Sequence, residues 1–152
     1  MTQHIYGRFW RRLLAMMVDG VILTLIISTL FITGIIVFGI GVAFPLSGDL
    51  PEWSSGLFIK FLVLFWITAS IIKMIYFVYF IGTTGQTPGK MFMGLRVVQQ
   101  NGDPMTFGLA FLRWVGYIIS GLCFYLGFLW ILFDYRKQGW HDKIAGTVVI
   151  CV

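Results

Sequence analysis

From Leu13 to Phe44 the chain runs for 32 residues with one charge, Asp19. A membrane-spanning helix needs about 20 apolar residues. A run this long is therefore tilted, broken near Gly39-Ile40-Gly41, or projecting from the bilayer. Asp19 lies about 10 Å along such a helix from Arg12, at about 1.5 Å per residue. A charge at that depth costs about 2.5–3.5 kcal/mol or more unless it is paired or solvated. Arg12, Ala15, Met16 and Asp19 share one helical face. That face must turn from lipid towards protein or water.

The remaining sequence fits a bilayer. Of 152 residues, 59% are hydrophobic and 11% are charged, where a soluble domain has about 25% charged. This is an integral membrane chain, of a length for one membrane domain over 1–152. The expected class is an all-α polytopic membrane protein. It has two long transmembrane helices, a third apolar block and a small cytoplasmic strand and loop element. The net charge of +5 reports orientation and contact with anionic headgroups, not nucleic acid. Cys123 and Cys151 have no metal-ligand or disulfide spacing. The first segment is too long for a signal-peptide core and counts as a mature span.

The spans are expected at about 13–43, 57–82 and 107–133. Arg8, Arg11 and Arg12 precede the first, and the 45–56 loop has no basic residue. The positive-inside rule puts the N-terminus and the 83–106 loop in the cytoplasm. Residues 83–90 are a Gly/Pro/Thr turn region, and Leu95–Gln99 forms a short strand. Asn101-Gly102 is a turn signal, and Thr106 caps the next helix. A weak internal echo aligns Gln86 to Val98 with Gln138 to Ile150 without gaps. It shares the Gln, a Gly eight residues later and a β-branched pair. If the two Val-rich stretches lie on one side, they pair. The 107–133 block must then go in and come back, with a break near Gly121. Otherwise it is a single span. Arg136, Lys137 and Lys143 favour the first alternative and a cytoplasmic C-terminus.

Several pieces together resemble one family. They are Arg12-x-x-Ala15-x-x-x-Asp19, then Gly85-Gln-Thr87-Pro88-Gly89-Lys90 with Gly94-x-Arg96-Val-Val, then Phe107-Gly108…Leu112-Arg113, and finally Asp134…Gln138-Gly139-x-His141-Asp142…Ala145-Gly146-Thr147-Val148-Val149. The chain resembles the RDD family of small bacterial membrane proteins, named for an arginine and two aspartates, over nearly its whole length. The resemblance implies that Arg12 and Asp19 are the first two named residues. The second aspartate is Asp134 or Asp142. It also implies a place in the bacterial plasma membrane and transport of an unassigned ligand, with cation/proton exchange attributed to some members.

The residues themselves suggest a pair. Lys73, about nine residues inside the second span, matches Asp19 in depth to within a few Å. An ion pair between them would remove most of the cost of two lone charges. It is a static lock on helix register or a gated proton or cation site. Asp19, Asp134 and Asp142 are the candidate cation ligands near the cytoplasmic side. His141-Asp142 is a pH-sensitive couple in prospect. Thr87-Pro88-Gly89-Lys90 lacks the spacing of a phosphate loop. Lys90, Arg96, Arg113, Arg136, Lys137 and Lys143 are expected as a collar against anionic headgroups. No enzyme, cofactor or metal site is indicated. The expectation is a transporter with Asp19 as titrating group, a monovalent cation or proton as ligand, and a homo-oligomer, since one short chain encloses little. The alternative is a non-transporting scaffold or accessory subunit, with Arg12, Asp19 and Asp134 as structural locks.

Overall fold

Two helices of spanning length dominate the computed structural model, which describes residues 7–43, 53–123 and 126–152. Helix α1 is Phe9–Ala43 and α2 is Trp53–Thr84. Their apolar stretches Phe9–Gly41 and Gly56–Thr84 are each long enough to cross a bilayer. Helix α1 is continuous through Gly39 and Gly41, so of the three alternatives for the long run the break is the one not taken. It begins four residues before the expected Leu13, at Phe9, because nothing between Arg8 and Leu13 stops a helix. The chain divides into two compact units, one of residues 21–73 and one of residues 1–20 with 74–152.

The 21–73 unit holds the middle of α1 against the first half of α2. Phenylalanines fill the seam. Phe31 packs on Phe61 and Phe65, and Phe38 packs on Phe58 and Phe61. Gly34 leaves room for the Phe61 ring. Outward side chains such as Val21, Leu25, Val37 and Leu64 are exposed, as lipid-facing residues are in a membrane span.

The other unit is built on a duplicated module. Its first copy is helix α3 (Pro88–Phe92) and strand β1 (Leu95–Gln99). Its second copy is helix α6 (Trp140–Ile144) and strand β2 (Thr147–Cys151). Each residue of the first maps onto the one 52 positions later, as Gln86 onto Gln138. The mapping holds in detail. Gly94 and Gly146 both turn the chain at φ +61°, a region open to glycine at little cost. Gln86 Nε2 donates to Leu95 O at 2.8 Å, and Gln138 Nε2 donates to Thr147 O at 2.7 Å. Val152 N donates to Gly94 O at 3.0 Å, and Gln100 N donates to Gly146 O at 3.1 Å. The strands pair antiparallel, with Val97 opposite Val149 at the centre. Since Val97 also maps onto Val149, a local two-fold axis passes through that pair. The pairing expected from the sequence echo is present.

Helix α4 (Phe107–Leu122) joins the copies, followed by α5 (Leu126–Leu129) and a 3₁₀ turn (Trp130–Leu132). Thr106 caps α4, its hydroxyl accepting from Leu109 N. Ala110, Arg113, Gly116 and Ser120 form its buried face. The Leu126–Leu132 segment turns back at 111°. At about 1.5 Å per residue the two arms reach about 24 and 10 Å, short of a ~30 Å hydrocarbon core. Both ends of the block return to the sheet: Gln99 N donates to Asp103 O, and Arg136 Nη1 reaches Gln100 Oε1 at 3.5 Å. This geometry fits a re-entrant hairpin, with α4 ending at Leu122, near the expected Gly121. The unit's core gathers Ala15, Ile81, Leu95, Val97, Met105, Ala110 and Val149.

Candidate functional site

Two buried carboxylates organise the 1–20 and 74–152 unit, and the chain satisfies them in opposite ways. Asp142 is the third residue of α6, completely buried. Its Oδ2 accepts from Gly139 N at 3.0 Å, closing the first turn of the helix. The same oxygen takes Arg12 Nη1 at 2.7 Å. Its Oδ1 meets Arg113 Nη1. One carboxylate thus ties α1, α4 and α6 together. Arg12 spends its other donors on Gly7 O at 3.0 Å and Val149 O at 3.4 Å. Arg113 Nη1 also reaches the Thr147 hydroxyl, and Nη2 lies 3.4 Å from the Tyr117 phenol oxygen.

His141 neighbours this bridge. Its Nε2 is 3.6 Å from Asp142 Oδ1, and its ring lies 4.5 Å from Tyr117 and 4.9 Å from Phe128. Its backbone packs on Gly116, where an added Cβ would come within 2.6 Å of His141 Cα. Burial pushes the imidazole down to about 3, with Arg113, Arg12 and Lys90 adding to the effect against the pull of Asp142. The expected pH-sensitive couple is therefore a neutral imidazole throughout the physiological range. Burial opposes ionisation of Asp142 as well, but Arg113 and Arg12 prevail and hold the carboxyl far below the usual range.

Asp19 has no such guanidiniums. Its Oδ1 accepts from the Tyr76 hydroxyl at 2.9 Å and from Gly89 N at 2.8 Å. Its Oδ2 accepts from the Thr87 hydroxyl at 2.5 Å. Thr87 is the N-cap of α3 and Pro88 its first residue, so the Thr-Pro-Gly sequence presents a hydroxyl and an amide to one carboxylate. Gly89 is required, since a Cβ there would lie 2.1 Å from Ala15 O. The Asp19 carboxylate is 1% exposed.

The expected Asp19–Lys73 pair does not form. Tyr76, one helical turn beyond Lys73, bonds Asp19, while Lys73 is exposed and in no ion pair among the described residues. Depth along a helix fixes height and not rotation, and a hydroxyl meets a carboxylate as readily as an ammonium. Asp134 also stands apart. It pairs with Lys143 at 2.5 Å and accepts from Arg136 N and Gln138 N, both at 3.1 Å. Burial works to raise its carboxyl; those hydrogen bonds, with the Lys143 charge, outweigh it and leave it below the usual range. The expected basic collar is also divided. Arg96, Arg136 and Lys143 are exposed, whereas Lys90 and Arg113 are buried. Arg96 donates to Thr84 O at 3.2 Å.

Sequence reasoning missed Tyr76, Thr147 and the two glutamines as working residues. The glutamines carried a signal, since both copies of the echo begin on one.

The family model described as "RDD family" matches residues 6–146. The "Uncharacterized protein YxaI" of Bacillus subtilis is 31% identical over 147 residues, covering 93% of this chain and 95% of that protein. The "Uncharacterized membrane protein YteJ" of the same organism is 31% identical over 157 residues, covering 97% and 82%. The "Proline-rich antigen homolog" of Mycobacterium tuberculosis is 34% identical over 70 residues, covering 45% and 29%. No solved structure matches the chain. With nearly every residue inside the family model and two helices of spanning length, this chain is a membrane protein that belongs to the RDD family.

Proposed function

We propose that the protein exchanges a monovalent cation for a proton across the bacterial plasma membrane, with Asp19 as the exchanging carboxylate. The contrast between the two buried carboxylates carries this reading. Asp142 is matched by two guanidiniums, whereas among the described residues Asp19 has neutral hydrogen-bond partners alone. A proton or an alkali cation would supply the missing positive charge, one excluding the other, and that exclusion is a basis for coupling. Oxygen surrounds the position: two carboxylate oxygens, the Tyr76 phenol and the Thr87 hydroxyl. Each hydroxyl donates to the bare carboxylate and has lone pairs to turn towards a cation. Arg12 is engaged by Asp142 and sits as a fixed neighbour, with Lys73 outside the exchange.

In this reading the N-terminus faces the cytoplasm, in keeping with Arg8, Arg11 and Arg12. The exposed Arg96, Arg136 and Lys143 meet anionic headgroups. A short chain encloses a path as a homo-oligomer. We assign the protein no enzymatic role and no nucleic-acid partner.

The test is reconstitution into liposomes holding a pH-sensitive dye, with sodium, lithium or potassium added outside. The expected result is cation-dependent proton movement that Asp19→Asn abolishes in a protein of unchanged size and helicity. Absence of flux from the folded wild type would overturn the reading. A scaffold or accessory-subunit role would then stand. The observation favouring that second reading is the Arg12–Asp142–Arg113 bridge, which ties three helices together.

A further inference from the structure

We propose that Trp130, Asp134, Trp140 and Lys143 form a binding site for a zwitterionic headgroup of the phosphoethanolamine type, with Lys143 holding the place of its ammonium. An ammonium already occupies the position. Lys143 Nζ pairs with Asp134 Oδ1 at 2.5 Å and lies 5.6 Å from the centre of the Trp130 ring. The Trp140 ring stands beside that of Trp130, with centroids 6.4 Å apart and planes inclined at 55°. An aromatic face attracts a cationic head through the ring quadrupole, and a carboxylate oxygen takes one of its N–H groups.

The carboxylate is set in place without help from Lys143. Asp134 Oδ2 accepts from Arg136 N and Gln138 N, both at 3.1 Å. Asp134 N donates to Trp130 O, also at 3.1 Å. The backbone therefore holds ring and carboxylate on one turn and leaves Oδ1 for a cation. Lys143 is loosely kept there. Its side chain is 44% exposed, against 14% for Asp134, and an exposed ion pair is worth little. An incoming ammonium displaces it at small cost.

The duplicated module shows that these side chains are not what the helix–strand frame requires. Trp140 maps onto Pro88 and Lys143 onto Met91, 52 positions earlier, and α3 forms without either. The surroundings select the ligand. Leu129, Leu132, Phe133 and Tyr135 flank the position and are exposed, a composition suited to the water–lipid boundary. A fixed anion beside a movable cation meets a zwitterion by exchanging partners. The ligand ammonium takes Asp134 and Trp130, and the freed Lys143 takes the ligand phosphate. A quaternary head has no N–H for Oδ1, so choline is disfavoured. The same chemistry arrives on a lipid or as soluble phosphoethanolamine.

The experiment measures the melting temperature of the full chain. In nanodiscs with a fixed share of phosphatidylglycerol, phosphatidylethanolamine is compared with phosphatidylcholine. In non-ionic detergent, phosphoethanolamine is compared with phosphocholine at equal ionic strength. The ethanolamine member should raise the melting temperature by a few degrees over the choline member. A rise in detergent identifies a soluble ligand, and a rise in nanodiscs alone identifies a lipid. Trp130→Leu should abolish the difference. Lys143→Gln removes the internal competitor, so this variant should respond to ethanolamine itself at a several-fold lower concentration than wild type. Equal melting with the ethanolamine and choline members in both arms overturns the proposal. So does a full difference in Trp130→Leu, or an ethanolamine response in Lys143→Gln no stronger than that of wild type. The readout is stability and not flux, so its failure and that of cation exchange are separate events.

Discussion

Asp142 and Asp19 are both buried aspartates, yet substitution should separate them sharply. Asp142→Asn leaves Arg12 and Arg113 buried without an anion, a loss of about 3–5 kcal/mol on the scale of broken buried pairs. Asp19→Asn keeps a side chain that still accepts from Tyr76, Thr87 or Gly89, and should cost about 1–3 kcal/mol. Denaturant unfolding in detergent would order the two, and a larger loss at Asp19 would refute the assignment of Asp142 as the central tie. Acid should act through His141. The unfolded imidazole binds its proton near pH 6.5, while the buried one resists until about 3. The unfolded state therefore holds more protons between those values, and stability should fall as pH drops through that window, by up to about 1.4 kcal/mol per pH unit. Below about 4, protonation of Asp142, whose folded carboxyl is depressed, should add to the loss. His141→Gln should flatten the upper part of the curve; an unchanged slope would place the proton elsewhere.

At the scale of the element, the helix–strand module is the unit to test. Its two copies share three identities, Gln86 with Gln138, Gly94 with Gly146 and Val97 with Val149. These are the positions where geometry allows little choice: a side chain that reaches the strand's first carbonyl, a left-handed turn, and the central pair. Gly94→Ala and Gly146→Ala should each cost about 1–2 kcal/mol, since an L residue pays that for the left-handed region. Similar losses from the two would support equivalent copies, and a neutral Gly146→Ala would contradict them. Much of this was legible in the sequence. The apolar runs gave the long helices, Thr106 gave its cap, and the echo gave the strand pairing. The partners of Asp19 were not. Tyr76 and Lys73 lie three residues apart on one helix, at depths both near that of Asp19, and only tertiary rotation chooses between them. That Asp142 and not Asp134 is the fully buried one was equally hidden, because both have basic neighbours and only Asp142 lies on α6, which sets it in the core.

For the whole molecule, the sheet fixes a topological relation. Gly7 N donates to Val149 O at 2.9 Å, so the chain ahead of α1 and the last strand lie together. Reporters fused to the N- and C-termini should therefore give the same sidedness in a protease-protection or alkaline-phosphatase assay. Opposite sides would exclude the re-entrant hairpin. A cysteine near Leu122 should also label poorly from either aqueous face if the hairpin tip stops within the bilayer.

The Arg12–Asp142 contact spans 130 positions of sequence, and that separation governs biosynthesis. A ribosome delivers Asp142 130 positions after Arg12. Throughout synthesis the first helix enters the bilayer with its guanidinium unmatched, and Asp19 waits for a loop 68–70 residues behind it. Closure of this unit therefore waits for the segment that carries Asp142. Chains arrested before residue 142 carry Arg12 and Arg113 without the carboxylate that joins them.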